Sequence, residues 1–466
     1  MDTKDGTAQE KVKLVASTGD IAAQPAPSSS DSETNPHNVR SYFENAQWTA
    51  DGTTVLTYSS ANLVSGYILP EDLLLERQGP HSLAPQGQIQ LPEPSNVLAG
   101  APYFSLAEPW TQQVLVSTRD HPIQLFYLSP AQPPIASYPF TKARSEDFLT
   151  ATSLLWSAPG THFIAGNRSF LARFDVQRTG EGPVNRIRTI PSERHLSKGG
   201  GVGMRGTVSA LGGQPINQET GASLVAAGTW TRWIGLYDFA QAGECIATWS
   251  IASAVQGTGD GQETSGIGGD GITQTSWSPC GRYLIICERK SRGALIYDVR
   301  VTGKLLGYLT GRDALGNQRV SCDVFPSADG TTGFEIWSGS SAGTVNVWEG
   351  VGSIEGANAP AWSWEAHQST VGSVCLHPSG SVIATCGGSW EFPNDDDDSQ
   401  HGECSTASDR GDLINSEDGG TDSESGSETD STGALMPSMY RQNKESSLKI
   451  WSIAGLPGQS GEAGEE

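Results

Sequence analysis

Short polar segments of this chain place cationic side chains between apolar runs: Arg119, Arg168, Arg232, the pair Arg289 and Lys290, and Arg319. Guanidinium groups gathered on one surface attract phosphate, because each makes parallel charge-assisted hydrogen bonds to it. Trp230 and Trp233 flank Arg232, and indole rings stack on nucleobases. A basic stretch between two of these segments adds Arg173, Arg178, Arg186, Arg188, Arg194, Lys198 and Arg205. Residues of these types point to noncovalent chemistry, namely contact with RNA or another phosphate-bearing ligand. The alternative is structural: each Arg pairs with an Asp in a neighbouring element.

Covalent chemistry has less support. Gly201 to Gly206 matches the string G-x-G-x-x-G, but a dinucleotide site needs a strand before it and a helix after it. Here the string lies in a glycine run from Gly199 to Gly206, so no cofactor is expected. The eight histidines are dispersed. Cys375 and His377 make too small a cluster for zinc, and no metal is expected. His121 beside Asp120 has no placed serine, and a triad is defined by geometry. Asn167-Arg168-Ser169 fits the glycosylation pattern with no signal peptide in front of it. No catalytic residue is assigned, and the chain is read as a non-enzyme.

The elements that position the cations form a repeat. Each copy has an apolar strand, a turn, a second apolar strand, a small polar turn, and a third strand closing on an aromatic residue. The closing aromatics are Tyr67, Tyr127, Phe174, Tyr237, Tyr297, Trp348 and Trp451, most of them about 50–60 residues apart. The first strands carry Trp48, Phe104, Trp156, Val208, Trp277, Val324 and Val374. Hairpin signals follow at Asp51-Gly52, Pro159-Gly160, Cys280-Gly281, Asp329-Gly330 and Ser379-Gly380. Such units cannot bury their apolar faces alone and must stack, which predicts an all-β, seven-bladed WD-repeat β-propeller over residues 38–455. The turn between second and third strands then brings Arg119, Arg168, Arg232 and Arg289 to one face of the ring. His367 precedes a first strand, where WD repeats often keep a structural histidine. The last blade lacks an outer strand after Trp451, and the alternating run 11–18 is expected to fill that edge.

Charge and composition set the remaining bounds. The net charge is −23, but residues 391–430 hold 14 acidic residues and one basic residue. That segment, residues 1–36 and the three glutamates of the tail together contribute −19 of the net −23, leaving a nearly neutral ring. An insertion at 394–444 splits the last blade. It is expected to be disordered, as are most of 1–37 and the tail 456–466. The insertion carries Thr421, Ser425 and Ser427 in acidic contexts suited to acidophilic kinases; otherwise it is a solvated spacer. Asp395 to Asp398 lacks the ligand spacing of a calcium loop. No apolar run approaches the ~18 residues of a membrane span. Seven scattered cysteines read as reduced, mostly buried thiols of an intracellular protein.

The motifs in series resemble the telomerase Cajal body protein 1 family, also called WD repeat-containing protein 79. They run from Phe43 to Gly52, Ser117 to Ile123, Gly166 to Arg168, Gly228 to Tyr237, Arg289 to Arg300, Asn317 to Arg319, Ser340 to Trp348 and Leu376 to Pro393. The resemblance implies a nuclear, non-enzymatic scaffold. Animal members of that family bind small Cajal body RNAs and the telomerase RNA, and fungal relatives are associated with spliceosomal small nuclear ribonucleoproteins. The chain is read as similar to a fungal-type member; its short acidic N-terminus lacks the long proline-rich extension of animal members, so the resemblance does not extend to Cajal body targeting. No strong import signal is present; Glu288 to Arg292 is too short. Small nuclear or small Cajal body RNA, its ribonucleoprotein proteins and telomerase are the partners implied, with no membrane and a monomeric chain.

Two rival functions fit the same fold. One is a protein-only scaffold of splicing or chromatin machinery. The other is a substrate receptor of a cullin-based ubiquitin ligase, because Tyr297-Asp298-Val299-Arg300 resembles the Trp-Asp-x-Arg box of such receptors.

Overall fold

The computed structural model describes residues 11–21, 41–128, 133–142, 144–190, 203–216, 223–241, 243–254, 266–327, 333–389 and 445–453. The expectations for the 394–444 insertion, for Arg194 and Lys198, for the Asp329-Gly330 turn and for the 456–466 tail lie outside these residues.

Alternating apolar and polar residues make strands, and the strands assemble into seven antiparallel sheets ordered from the axis outwards. Blade 1 is Phe43–Trp48, Thr54–Ser59, Leu63–Ile68 and Gly87–Gln90. Blade 2 is Ser95–Gly100, Gln113–Thr118, Ile123–Tyr127 and Ala136–Tyr138. Blade 3 is Ser153–Ser157, His162–Asn167, Phe170–Asp175 and Asn185–Arg188. Blade 4 is Val208–Gly213, Leu224–Thr229, Trp233–Asp238 and Glu244–Ser250. Blade 5 is Ile272–Trp277, Tyr283–Glu288, Ala294–Asp298 and Leu305–Leu309. Blade 6 is Cys322–Pro326, Phe334–Gly339, Thr344–Val351 and Trp362–Glu365. Blade 7 is Val371–Leu376, Val382–Gly387 and Ser447–Ile453, with Val12–Ser17 as its outer strand. We call the four strands of a blade A to D. The protein is a seven-bladed β-propeller.

The outer strand of blade 7 comes from the other end of the chain. Val12–Ser17 runs antiparallel to Ser447–Ile453, with Leu14 opposite Trp451. Two further edges are covered by a neighbour. His81–Ser82, from the blade 1 C–D connection, pairs parallel with Val12–Ser17, and Gly356–Asn358 of blade 6 does the same on Leu305–Leu309. Covering these edges removes unpaired backbone groups that would otherwise invite association.

The core is not central but divided among the seven blade interfaces. Each interface holds one apolar cluster; the one between blades 7 and 1 joins Ala384, Leu448 and Ile450 to Phe43, Val55 and Tyr67. The strand-A tryptophans add a directional latch. The indole N–H of Trp48, Trp156 and Trp277 donates to Cys375, Ala99 and Gly212, each on strand A of the preceding blade, at 2.9–3.1 Å. Phe104 departs from the expected pattern. Strand A of blade 2 ends at Gly100, and Phe104 is buried in the A–B connection, where it fills the interface with blade 1.

His367 acts as a structural link in blade 7. Its Nδ1 lies 3.1 Å from Ser447 Oγ and its Nε2 lies 2.8 Å from Thr385 Oγ1. Trp451 Nε1 donates to the same Thr385 oxygen at 3.0 Å. Glu445 completes the relay, accepting from Ser447 Oγ, Lys449 Nζ and the Gln368 N–H. Burial pushes the His367 imidazole below its ordinary range, so it is neutral. Burial would raise Glu445, but the hydrogen bonds from His367, Lys449, Gln368 and Ser447 outweigh it and hold the carboxyl well below the usual range.

Candidate nucleic-acid interface

Antiparallel order fixes where each connection lies. In every blade the B–C turn and the D–A connection share one face, here called the upper face, and the A–B and C–D turns share the other. Arg119, Arg168, Arg232 and Arg289 occupy B–C turns, and Arg319 lies in the D–A connection between blades 5 and 6. The topology therefore collects them on the upper face, although they span 200 residues of sequence.

A cavity of about 640 Å³ opens on the axis. Its wall is made by strand A residues, among them Glu44, Gln274, Asp323 and Ser373, and by Trp230, Arg289 and Arg319. The Arg289 guanidinium stacks 4.6 Å from the Trp230 ring centroid, and the Arg319 guanidinium lies 5.9 Å from it. Such cation–π contacts hold an extended guanidinium in place at the rim. Gly271 makes this possible: its φ of +117° and missing side chain let Trp230 lie against the backbone, where a Cβ would come within 2.6 Å of the ring.

Both signs of charge face the cavity. Burial pulls Arg319 below its ordinary range, opposed by the Glu44 carboxylate. Burial also pushes Glu44 up against the pull of Arg319, and it pushes Asp323 up against hydrogen bonds from the Leu376 and Val324 N–H groups.

The remaining sequence candidates fall into three environments. Arg119 is about three-quarters exposed, with only its neighbour Asp120 at 3.5 Å. Arg168 is exposed, and Arg186 and Arg188 lie on the open outer strand of blade 3, with Arg186 5.9 Å from the Phe170 ring. Lys290 is half exposed, 3.6 Å from Asp270, whose backbone carbonyl also accepts from Arg289 Nε at 2.6 Å.

Three residues have structural duties instead. Arg232 is committed to Glu288, a buried carboxylate on strand B of blade 5, by bonds of 2.6 and 3.0 Å. It also donates to the Ala252 and Ile251 carbonyls. Arg173 crosses from blade 3 to the Phe239 carbonyl of blade 4 at 3.2 Å. Trp233 packs into the blade 3–4 cluster beside Tyr237. The structural alternative thus describes these three and in part Arg289, whose Nη2 lies 3.4 Å from the Asp270 carboxylate, while Trp230, Arg289 and Arg319 meet at the cavity.

Several partners were not foreseen from sequence. Glu288 was the most legible of them, because strand B ends on Ser59, Thr118, Asn167, Thr229, Gly339 and Gly387 in the other blades but on an acid here. Asp270, Glu44 and Asp323 carried no such signal. Other sequence features also resolve. Met204 is buried, and the glycine string leads into strand Val208–Gly213, not a helix. Asn167 donates its side-chain amide to Thr150 O at 2.6 Å. Arg300 folds back on Asp298, closing the Trp-Asp-x-Arg-like box on itself. Of the described cysteines, Cys287, Cys322 and Cys386 are buried thiols, but Cys245 and Cys280 are exposed. No helix among the described residues is long and apolar enough to cross a membrane.

No family model matches the chain. Telomerase Cajal body protein 1 from Bos taurus is 27% identical over 367 residues, covering 77% of this chain and 59% of that protein. The Homo sapiens protein of the same name is 26% identical over 437 residues, covering 92% of this chain and 67% of its own length. The chain is similar to telomerase Cajal body protein 1. It spans about three fifths to two thirds of the length of these curated telomerase Cajal body proteins. The guanine nucleotide-binding protein negative regulator 1 of Schizosaccharomyces pombe is also similar, at 23% identity over 69% of this chain and 74% of that protein. This last match fits a fungal-type member.

Proposed function

We propose that the chain is a non-enzymatic nuclear WD-repeat scaffold that holds small non-coding RNA, or its ribonucleoprotein, on the upper face of the propeller. The RNA is of the small nuclear or small Cajal body class, with telomerase among the assemblies served, and the scaffold works as a monomer. The observation that carries the reading is the cavity rim, where the guanidiniums of Arg289 and Arg319 both approach the Trp230 ring. The names of the mammalian relatives support the same class of partner. The working contact set is Arg119, Arg168, Arg289, Lys290, Arg319 and Trp230; Arg173, Arg232 and Trp233 leave it because their groups are engaged within the fold. Phosphate contacts from this set give binding that weakens as salt rises, and a stacked base adds about 1–3 kcal/mol.

A protein-only scaffold is the second reading. The carboxyl groups of Glu44 and Asp323 on the cavity wall favour it, since a second sign of charge beside the arginines suits a peptide better than a phosphate chain. Crosslinking the protein in cells and sequencing the attached RNA separates the two. Enrichment of small nuclear or small Cajal body RNA over an unrelated propeller, lost on Arg289→Glu, supports the RNA reading. Equal recovery from both propellers leaves the protein-only scaffold.

A further inference from the structure

Cys287 and Cys322 face each other across the interface of blades 5 and 6. Cys287 is on strand B of blade 5 and Cys322 opens strand A of blade 6. Their sulfurs are 3.3 Å apart and both residues are buried. A disulfide needs about 2.05 Å between sulfurs, so closure requires an approach of roughly 1.2 Å, within reach of small side-chain rotations.

Two features separate this pair from cysteines that merely fill a core. The first is access. Cys322 is one of the residues that line the axial cavity, which places the buried pair one side chain behind the cavity wall, within reach of a solute as small as hydrogen peroxide. The second is a cation. Arg312 is fully buried and donates to Ser338 Oγ at 3.2 Å, to Glu288 O at 3.2 Å and to Val320 O. Those acceptors bracket the thiols: Glu288 follows Cys287, Val320 precedes Cys322 by two residues, and Ser338 is the cross-strand partner of Cys322. All three acceptors are neutral, so the guanidinium favours negative charge on the adjacent sulfur. The hydrogen bond from Cys322, helped by the Arg312 charge, favours the Cys287 thiolate against the effect of burial, while the same bond and burial hold Cys322 protonated. Gln274 fixes Cys322 in place, accepting from its N–H at 2.8 Å and donating to its carbonyl at 2.7 Å.

We propose that Cys287 and Cys322 are an oxidisable pair that closes to a disulfide when a peroxide enters the axial cavity, covalently joining blade 5 to blade 6. One thiolate attacks a peroxide oxygen, forming a sulfenic acid as the O–O bond breaks; the released oxygen takes up a proton and leaves as water. The second thiol attacks the sulfenic sulfur, forms the S–S bond and expels a second water. The two thiols together lose two electrons and two protons, and hydrogen peroxide is reduced to two waters. The bond closes a loop of 35 residues in sequence separation and constrains the unfolded chain, so the oxidised ring melts at a higher temperature. None of this depends on the class of ligand that the upper face binds.

The test uses the full-length reduced protein treated with hydrogen peroxide, then unfolded in an alkylating agent and digested for mass spectrometry. The expected result is a peptide holding Cys287 joined to a peptide holding Cys322, reversed by dithiothreitol. The peroxide-treated wild type should also melt several degrees higher than the reduced form. Cys287→Ala and Cys322→Ala, each checked for a native circular dichroism spectrum, should lose both the linked peptide and the gain in melting temperature. Should either variant fail to fold, the wild-type peptide map decides alone. Full alkylation of both residues after peroxide treatment, with oxidation confined to exposed Cys245 and Cys280, would overturn the proposal.

Discussion

Arg232 donates two hydrogen bonds to the Glu288 carboxylate, from Nε at 2.6 Å and from Nη2 at 3.0 Å, and so ties blade 4 to blade 5. Arg232 does this from a left-handed backbone conformation, φ +63°, at the position of the B–C turn where blades 1 and 6 place Asn62 and Gly343. A long side chain is strained there by about 1 kcal/mol or more, and the paired carboxylate offsets that strain. Glu288 is 1% exposed and would be left as a buried charge without its partner.

Glu288→Ala should therefore destabilise the ring by about 2–4 kcal/mol, and Arg232→Ala by a similar amount. The double substitution should cost clearly less than the sum of the two. Denaturant midpoints for the four proteins of this cycle check it; additive losses would show that the pair is uncoupled.

The cavity rim and the blade 4–5 ion pair should behave differently towards RNA. Arg289→Ala with Lys290→Ala should weaken RNA binding and flatten the dependence of log Kd on log salt by about 0.7 for each phosphate that is no longer neutralised. Trp230→Ala should weaken binding with little change in that slope. Arg232→Ala should leave the slope unchanged in protein that remains folded. Binding isotherms at four or five salt concentrations measure all three.

Acid should loosen the blade 7 relay through His367. Its folded-state imidazole lies below the ordinary value near 6.5, so the unfolded chain takes up protons first as pH falls. The contribution is complete at neutral pH and is lost below about 6.5, down to the depressed folded-state value. His162 and His377 are lowered too and act with the same sign, so the informative quantity is a difference. The melting temperature of His367→Gln should start lower at pH 7 and fall less between pH 7 and 5 than that of the wild type. Glu445 acts in a lower window. Its carboxyl is depressed, so its contribution holds above about pH 4.5 and disappears with further acid.

Closure at the chain ends should be separable from the rest of the ring. Removing residues 1–18 uncovers Ser447–Ile453 as an open strand edge and empties the place of Ala16 in the blade 7–1 interface. The shortened protein should melt lower and associate at micromolar concentration, as seen by light scattering. Adding back a peptide of residues 11–18 should reverse part of the association. Trp48→Phe tests the same interface more gently: losing the indole bond to Cys375 should cost about 1–2 kcal/mol.

The propeller was legible because its signals are local and repeated. Trp48, Trp156 and Trp277 mark strand A, and aromatics from Tyr67 to Trp451 close strand C, each doing the same job in its own blade. Phe104 misled for the same reason: a buried aromatic near a turn reads as a strand residue, while the strand itself is Ser95–Gly100 and Phe104 fills the interface from a connection. The B–C turns were equally visible, so the side chains that would reach the upper face could be named.

Sequence by itself determined the repeat, the number of blades and the face on which each cation emerges, because turn chemistry and strand alternation act within a few residues. Only the tertiary structure decided which cations are engaged. Arg232 meets Glu288 56 positions away, Arg289 and Arg319 converge on Trp230, and Cys287 meets Cys322, all through the wedge-like packing of one blade on the next. Those distances are set by how whole sheets stack, a property that no short stretch of chain encodes.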